Sequence, residues 1–380
     1  MNNPTDNILR QEEDVAYRKE STEQKYIRVK FVNRGQLSAN PPIWLRQFPG
    51  KRPVWGNCEF IFDPNERNYD WLVVENDLPA PEGKPPRDAI ERLNCPREHT
   101  LFITREPSSV TTYGSRFLNQ FTYVLTGQED WALKHSGKIH SQPALRWYYG
   151  DTSRDGGKNL RDLDWIVANP PLEKTKTIST MCSAKAQKHT MHYDRVQFVE
   201  KLQIALPEMD RFGEGFKAIP DKAASLNPYK YHITIENHFC PHWWTEKLAD
   251  AFLGLCLPFY HGAPNASDYF PADSFIPINI HDFESSLQII KKAIDEDAYS
   301  QRLNSIKAAR DLVIYKYNTF SVVAEIIEQR NNPQATSQTN LTIQGKHALR
   351  KNPIAAAQIG IEKVYLRAQT LLRKHGSKRK

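Results

Sequence analysis

Long apolar runs with the character of buried strands recur along this chain of 380 residues. The first part contains five of them: YIRVKFV (26–32), CEFIFD (58–63), DWLVVEN (70–76), TLFITRE (100–106) and FTYVLTG (121–127). Runs that are apolar throughout, rather than at every second position, are typical of parallel sheets covered on both faces. Helices must then connect the strands, and DAIERLN (88–94) is predicted to be one of them.

A second set of strands and helices follows a stretch rich in Gly, Asp and Pro (150–173). Helices are predicted near 191–205, from Thr245 onward and over 284–329. The predicted strands of this set are TISTMCSA (177–184), YHITIEN (231–237), LPFYHG (257–262) and FIPINI (275–280). Two consecutive alternating sets predict an α/β protein with two Rossmann-like domains.

The composition divides the chain into four parts. We expect a flexible N-terminus over 1–24, an N-terminal Rossmann-like domain over 25–172 and a C-terminal one over 173–330. Residues 331–380 are predicted to form a polar linker followed by a basic amphipathic helix that begins after Pro353.

Five scattered cysteines without a CxxC pair favour a reducing compartment over a disulfide framework. The sequence contains neither a run long enough to span a membrane nor a leader-like N-terminus, so a cytoplasmic protein is predicted.

The basic charge is concentrated at the C-terminus. Residues 341–380 have a net charge of +9, whereas the whole chain has a net charge of +7. The other 340 residues therefore sum to −2. An amphipathic helix of this kind can lie on an anionic membrane, bind nucleic acid or pack on the body. We favour peripheral contact with the inner face of a membrane, and we expect no nucleic-acid partner because the body is near neutral.

The segment WWTEKLADAF (243–252) predicts a helix that begins at a ligand. Thr245 is a suitable N-cap, and an apolar stripe starts at Leu248. Lys247 opposes the helix dipole in the first turn, which is understandable if an anion binds there. The preceding strand ends at Glu236 and Asn237, the position where ligands bind in open α/β sheets. The alternative is a solvated first turn with an intrahelical ion pair.

The wider segment 229–283 resembles the donor-binding half of glycosyltransferase family 10, the α-1,3/4-fucosyltransferases. The shared motifs are a strand ending in EN, a TEK sequence opening a helix, a GAP turn and the run DYFPADSFIPINIHDF. Upstream, Arg195 with Phe198 and Leu202 matches a helix start of the family, and Glu106 matches the end of an acceptor-side strand. This chain departs from the family at Trp243, where a Tyr is expected, at Cys182-Ser183-Ala184 and at Arg105.

The resemblance implies a GT-B fold, with a cleft between the two Rossmann-like domains and GDP-fucose bound to the C-terminal one. It implies an inverting fucosyltransferase without a metal or cofactor, acting on an acceptor glycan such as N-acetylglucosamine of a surface polysaccharide. Glu106 is then the base. The implied nucleotide-sugar-binding residues are Arg195, Glu236, Asn237, Trp243, Thr245, Glu246 and Lys247. Transfer of another nucleotide sugar, or binding of nucleotide or carbohydrate without catalysis, remains an alternative.

Three groups of residues suggest a metal site, and for each group we favour a role that does not involve a metal. His238, Cys240 and His242 alternate in a way that would suit zinc on an extended segment. The acidic triplets at 162–164 and 295–297 resemble the Asp-x-Asp of metal-dependent glycosyltransferases, but they lie in polar stretches and are predicted to be solvated. Separately, His189 and His192 are predicted to be loop or cap residues rather than catalysts.

Overall fold

The computed structural model describes residues 25–35, 38–153, 160–183, 191–337 and 340–377, with side chains as far as residue 370. The predicted flexible N-terminus (1–24), Ala184 and His189 lie outside these residues.

The N-terminal part is built on a seven-stranded sheet in the order β2-β3-β1-β4-β6-β7-β8. All its neighbouring strands are parallel except the edge pair β2 and β3. The strands of this part, including β5, which lies outside the sheet, are β1 (Ile27–Asn33), β2 (Val54–Trp55), β3 (Cys58–Ile61), β4 (Trp71–Glu75), β5 (Ile90–Arg92), β6 (Thr100–Ile103), β7 (Tyr123–Thr126) and β8 (Lys138–His140).

The connections in this part are mostly loops and short helices: α1 (Pro42–Leu45), α2 (Ser115–Leu118) and α3 (Leu163–Ala168), with 3₁₀ turns at Pro49–Lys51, Pro86–Asp88 and Arg97–His99. The prediction of a helix over 88–94 is wrong. Ile90–Arg92 is the strand β5, because it pairs with a strand near the C-terminus that local periodicity cannot reveal.

The second sheet has five parallel strands in the order β10-β9-β11-β12-β13. They are β9 (Lys176–Met181), β10 (Asp210–Phe212), β11 (Tyr229–Ile235), β12 (Leu257–His261) and β13 (Ile276–Pro277). This is the 2-1-3-4-5 order of doubly wound folds, and the parallel strands of the first sheet follow the same scheme. The strand order reverses between β9 and β11, and a ligand is expected at that switch point.

Longer helices accompany the second sheet: α4 (His192–Ala205), α5 (Glu246–Leu253), α6 (Phe283–Asp295) and α7 (Ala298–Asp311). Short 3₁₀ turns occur at Lys222–Ser225, Ala266–Asp268 and Ala272–Ser274. After a π-helical turn at Leu312–Lys316 comes α8 (Thr319–Glu328), so the helices predicted over 284–329 are present, with short breaks between them.

The chain returns to the first sheet at α8. Phe320 is fully buried in the core of the N-terminal part, where it stacks on Phe48 at 4.1 Å between ring centroids. The remaining elements also lie on that part: β14 (Thr342–Gln344), α9 (Lys346–Leu349) and α10 (Pro353–Ser377), with β14 pairing antiparallel to β5. The predicted boundaries at 172 and 330 stay predictions, although the packing of α8 connects its residues to the first sheet.

Two sheets, parallel except at the β2–β3 edge and each with the doubly wound order among its parallel strands, confirm the predicted α/β fold of GT-B type with two Rossmann-like units. Among the described residues, no helix combines the length and apolarity needed to cross a membrane. All five cysteines are buried and unpaired, and all lie in the described ranges.

Candidate active site

A cavity of about 150 Å³ lies between the two sheets, at the carboxyl ends of their strands. The N-terminal wall comes from the ends of β4 and β6 and from the loop after β8. The C-terminal wall comes from the loop after β11 and the start of α5. Its lining includes six of the eight predicted site residues: Glu106, Asn237, Trp243, Thr245, Glu246 and Lys247.

Thr245 caps α5 as predicted. Its hydroxyl oxygen accepts a hydrogen bond from the Lys247 backbone N–H at 3.3 Å. The Thr245 hydroxyl in turn donates to Glu236 Oε2 at 2.7 Å, and the Thr245 backbone N–H donates to Glu236 Oε1 at 2.8 Å. The Glu236 carboxylate is 0% exposed, so it positions the helix start and does not face the cavity.

Gly262 in the GAP turn makes room for this buried carboxylate. A Cβ at Gly262 would lie 2.6 Å from Glu236 Cγ and 2.2 Å from the Tyr260 hydroxyl oxygen. A side chain at this position would therefore displace Glu236 from Thr245.

Lys247 lies between two carboxylates. Its Nζ is 3.0 Å from Glu246 Oε1 and 3.5 Å from Glu236 Oε2. Burial raises the pKa of Glu246, but the charges of Lys247 and Lys222 outweigh it and hold that pKa at about 2. Burial lowers the pKa of Lys247, but its two carboxylate partners raise it above the ordinary lysine value. The ion pair named above as the alternative thus exists, but it faces the cavity rather than bulk solvent.

Arg195 lies behind this pair, in the first turns of α4. Its Nη1 donates to Asn237 Oδ1 at 3.0 Å, and its Nη2 is 3.1 Å from His192 Nδ1. Burial, together with the charges of Arg195 and Lys247, lowers the pKa of His192 to about 4. Met191, not His192, occupies the N-cap position of α4, so His192 is a neutral partner of Arg195.

Glu106 stands on the opposite wall, three residues after β6. Burial raises the pKa of its carboxyl group and Glu246 adds to the rise, while the charges of Arg105 and Lys247 oppose it. Among the described residues, no donor forms a hydrogen bond with this carboxylate. The Glu106 carboxylate is therefore available to a substrate, and the charges of Glu246 and Lys247 at the start of α5 act on it.

Trp243 is buried at the junction of the two walls, and its Nε1 has no hydrogen-bond partner within the described ranges. A Cβ at Gly127 of the N-terminal part would lie 3.0 Å from the Trp243 ring. The indole therefore packs closely against the N-terminal part.

Three polar cavity residues were not predicted from the sequence, Glu75, Arg146 and Tyr148, and Arg105 was noted only as a departure from the family. Glu75 ends β4, the strand beside the switch point of the first sheet, so the rule that located Glu236 would also have found it. Its carboxylate lies 3.8 Å from Arg105 Nη1, and Arg105 Nη2 donates to the Tyr148 hydroxyl at 3.2 Å. The guanidinium of Arg146 stacks over the Tyr148 ring at 4.7 Å. Arg146 and Tyr148 lie in a loop that carries no local pattern.

The residues weighed as metal ligands are not brought together as the sequence suggested. His242 has a positive φ of 66°, and its Nδ1 lies 2.5 Å from the Tyr269 hydroxyl, so it diverges from His238 and Cys240. Asp162 caps α3, and Asp164 accepts a hydrogen bond from the Gly50 backbone N–H at 2.7 Å. Asp297 pairs with Lys230 at 3.0 Å. Both acidic triplets thus include residues with structural roles.

Residues 171–302 match the family model described as glycosyltransferase family 10 (fucosyltransferase), C-terminal domain. The resemblance to glycosyltransferase family 10 is confirmed. The matched segment contains β9–β13, α4–α6 and all the predicted nucleotide-sugar-binding residues, whereas Glu106 lies outside it.

Curated relatives match this chain over a similar length. The chain is 30% identical over 108 residues to the human enzyme named 4-galactosyl-N-acetylglucosaminide 3-alpha-L-fucosyltransferase 9, and 31% identical over 110 residues to the mouse enzyme of that name. Each match covers 27% of this chain and only 30% of the relative's own length.

Solved structures are similar over a greater length but at lower identity. A crystal structure of an alpha1,3-fucosyltransferase has 17% identity and a TM-score of 0.49, covering 86% of this chain and 96% of that one. A structure of alpha1,3-fucosyltransferase with GDP-fucose has 16% identity and a TM-score of 0.47, covering 85% and 96%. Anabaena HepE in complex with UDP-glucose has 10% identity and a TM-score of 0.39, covering 80% and 99%.

Proposed function

We propose that the protein is an inverting glycosyltransferase that moves L-fucose from GDP-fucose to a hydroxyl of an acceptor glycan. The observation that carries this proposal is the position of Glu106. Its carboxylate, which accepts no hydrogen bond from the described residues, faces the Lys247–Glu246 pair across one cavity. The family 10 match over the donor-binding half supports GDP-fucose as the sugar donor.

The start of α5 suits the diphosphate of the donor. The positive end of the helix dipole attracts phosphate there. Lys247 adds a cation that keeps 23% of its side chain exposed, and Arg195 adds a second charge nearby. These charges stabilise the diphosphate as it leaves, which is the step where negative charge develops on the donor.

Glu106 acts as the general base. As the acceptor oxygen attacks C1 of fucose, its proton passes to the Glu106 carboxylate and the bond between C1 and the phosphate oxygen breaks. Attack from the face opposite the diphosphate inverts the configuration at C1. Positioned bases of this kind contribute roughly 10²–10⁴-fold to rates. Two nearby cations support the departure of GDP, and we propose that transfer needs no bound metal.

The proposal also covers the acceptor and the cellular location. The relatives are named for acting on 4-galactosyl-N-acetylglucosaminide, which supports an N-acetylglucosamine-containing acceptor; we propose one in a lipopolysaccharide or other surface polysaccharide. We propose a cytoplasmic location, with α10 in peripheral contact with the inner face of the membrane.

The packing of α10 supports contact with a membrane. One face is held on the body: Ala355 is buried, and Glu362 accepts hydrogen bonds from the Ser115 backbone N–H at 2.9 and 3.1 Å. The other face leaves large apolar side chains open, with Ile354 70%, Ile361 72% and Val364 69% exposed. An exposed apolar face next to basic side chains suits the surface of an anionic bilayer.

A panel of nucleotides and nucleotide sugars tests the donor assignment. A ligand that binds the folded state raises the melting temperature by mass action. We expect GDP and GDP-fucose to stabilise the protein more than UDP, UDP-sugars or CMP, and GDP to be released when an acceptor with terminal N-acetyllactosamine is added. Preference for a uridine or cytidine nucleotide would contradict the fucose assignment.

A further inference from the structure

Three metal-ligating side chains from the two halves of the molecule converge beside the cleft. Glu129 follows β7 in the N-terminal part, and His238 and Cys240 lie in the loop after β11. One ligand atom from each lies within 4.8 Å of the other two. His238 Nε2 is already 3.0 Å from Glu129 Oε1.

This donor set has the chemistry of a zinc site. Zinc binds thiolate sulfur, imidazole nitrogen and carboxylate oxygen at about 2.0–2.3 Å, which places tetrahedral ligand atoms about 3.3–3.8 Å apart. The observed separations need a closure of only about 1 Å, which side-chain rotation can supply. A water molecule can complete four coordination.

The surroundings orient the ligands. Ser108 Oγ donates to Glu129 Oε2 at 2.7 Å, which leaves Oε1 directed toward the imidazole. Such outer hydrogen bonds fix carboxylate ligands in metal sites. Cys240 is buried, and its Sγ contacts the Gly127 carbonyl oxygen at 3.6 Å, a weak thiol hydrogen bond that coordination would replace.

We propose that Glu129, His238 and Cys240 bind a divalent transition-metal ion of the zinc class and that this ion joins the two halves of the protein. Glu129 is thus the third ligand, in place of His242, which the sequence pattern suggested. On binding, the Cys240 thiol releases its proton to water, the His238 imidazole keeps its proton on Nδ1 so that Nε2 can coordinate, and the ion replaces the contact between His238 and Glu129. None of the three residues lines the 150 Å³ cavity, so we place the ion beside the sugar-transfer site and not within it.

Metal analysis of the full, untagged chain tests the site. The protein is purified without chelator, incubated with Zn²⁺, freed of unbound ion and analysed by mass spectrometry for metal content. We expect about one zinc per chain, and Co²⁺ substitution is expected to give visible bands together with a thiolate-to-cobalt charge-transfer band. Cys240→Ser abolishes the charge-transfer band, and His238→Ala reduces the metal content. The matched control is Cys58→Ser, a buried thiol in β3, which leaves both unchanged.

Circular dichroism of each variant establishes that loss of metal does not reflect loss of the fold. The proposal is overturned if the folded wild type retains no metal, or if Cys240→Ser and His238→Ala both bind as the wild type does. These outcomes are independent of the donor assignment, because metal content is measured without GDP-fucose.

Discussion

Replacing Lys247 by methionine removes the cation that lies between the buried carboxylate of Glu236 and the partly buried carboxylate of Glu246. The substitution keeps most of the apolar stem but leaves Glu236 and Glu246 facing each other without the ammonium group 3.5 and 3.0 Å away. We therefore expect two effects, one on stability and one on donor binding.

The stability effect follows from burial. Removing one partner of a buried ion pair costs about 3–5 kcal/mol, because the remaining charge is left uncompensated. Lys247 keeps 23% of its side chain exposed, so we expect a loss of about 3 kcal/mol in the free energy of unfolding at pH 7. The loss should shrink in acid. Lys247 and Lys222 hold the pKa of Glu246 at about 2. Without Lys247 that pKa rises, and protonation relieves the unpaired charge at a higher pH.

The binding effect follows from the lost contact with phosphate. A hydrogen bond to a charged group contributes about 1.5–3 kcal/mol, so GDP should bind roughly 10- to 100-fold more weakly. Urea unfolding and calorimetric titration with GDP measure the two effects. Lys292→Met is the matched control, since Lys292 is 73% exposed and pairs with Glu296 at 3.9 Å; its loss should cost less than about 1 kcal/mol. Equal stability losses in the two variants, or unchanged GDP affinity in Lys247→Met, would refute this account of the site.

Three further predictions concern other parts of the molecule. Burial raises the pKa of Glu106, while the charge of Arg105 lowers it. The acidic limb of the pH profile of kcat/KM should therefore lie above the ordinary glutamate range, and Arg105→Met should move this limb to still higher pH. A pH profile that does not move in Arg105→Met contradicts this. Phe320→Ala should lower the free energy of unfolding by about 3–5 kcal/mol, measured by urea titration, since α8 completes the first sheet's core; a loss under 1 kcal/mol, the scale of a surface change, contradicts it. Ile361→Ser with Val364→Ser should weaken binding to anionic vesicles about tenfold or more without changing the melting temperature, and unchanged sedimentation with vesicles contradicts the membrane proposal.

Local sequence predicted the elements whose apolar residues are contiguous. The runs around β1, β4, β9 and β11 are strands near the predicted bounds, and Thr245 caps α5 because a short polar side chain precedes an apolar helical stripe. Such signals lie within a few residues of the element they specify.

Features that depend on distant partners could not be predicted in this way. Ile90–Arg92 forms a strand only because Thr342–Gln344 pairs with it, and α8 packs on the first sheet although it follows the second. The same holds for the site. Glu236, which was predicted to bind the sugar nucleotide, holds Thr245 through two hydrogen bonds in the fold. Arg146 reaches the cavity from a loop without a pattern.

The central claim is that Glu106 is the base of a fucosyl transfer from GDP-fucose, and single-turnover kinetics of Glu106→Gln test it most directly. The substitution keeps the shape of the side chain but removes its ability to accept a proton. The account predicts that the rate of fucose transfer falls by roughly 10²–10⁴-fold, while the melting temperature and the affinity for GDP, which binds the opposite wall, stay close to the wild-type values. A folded Glu106→Gln protein that transfers fucose at nearly the wild-type rate would contradict it.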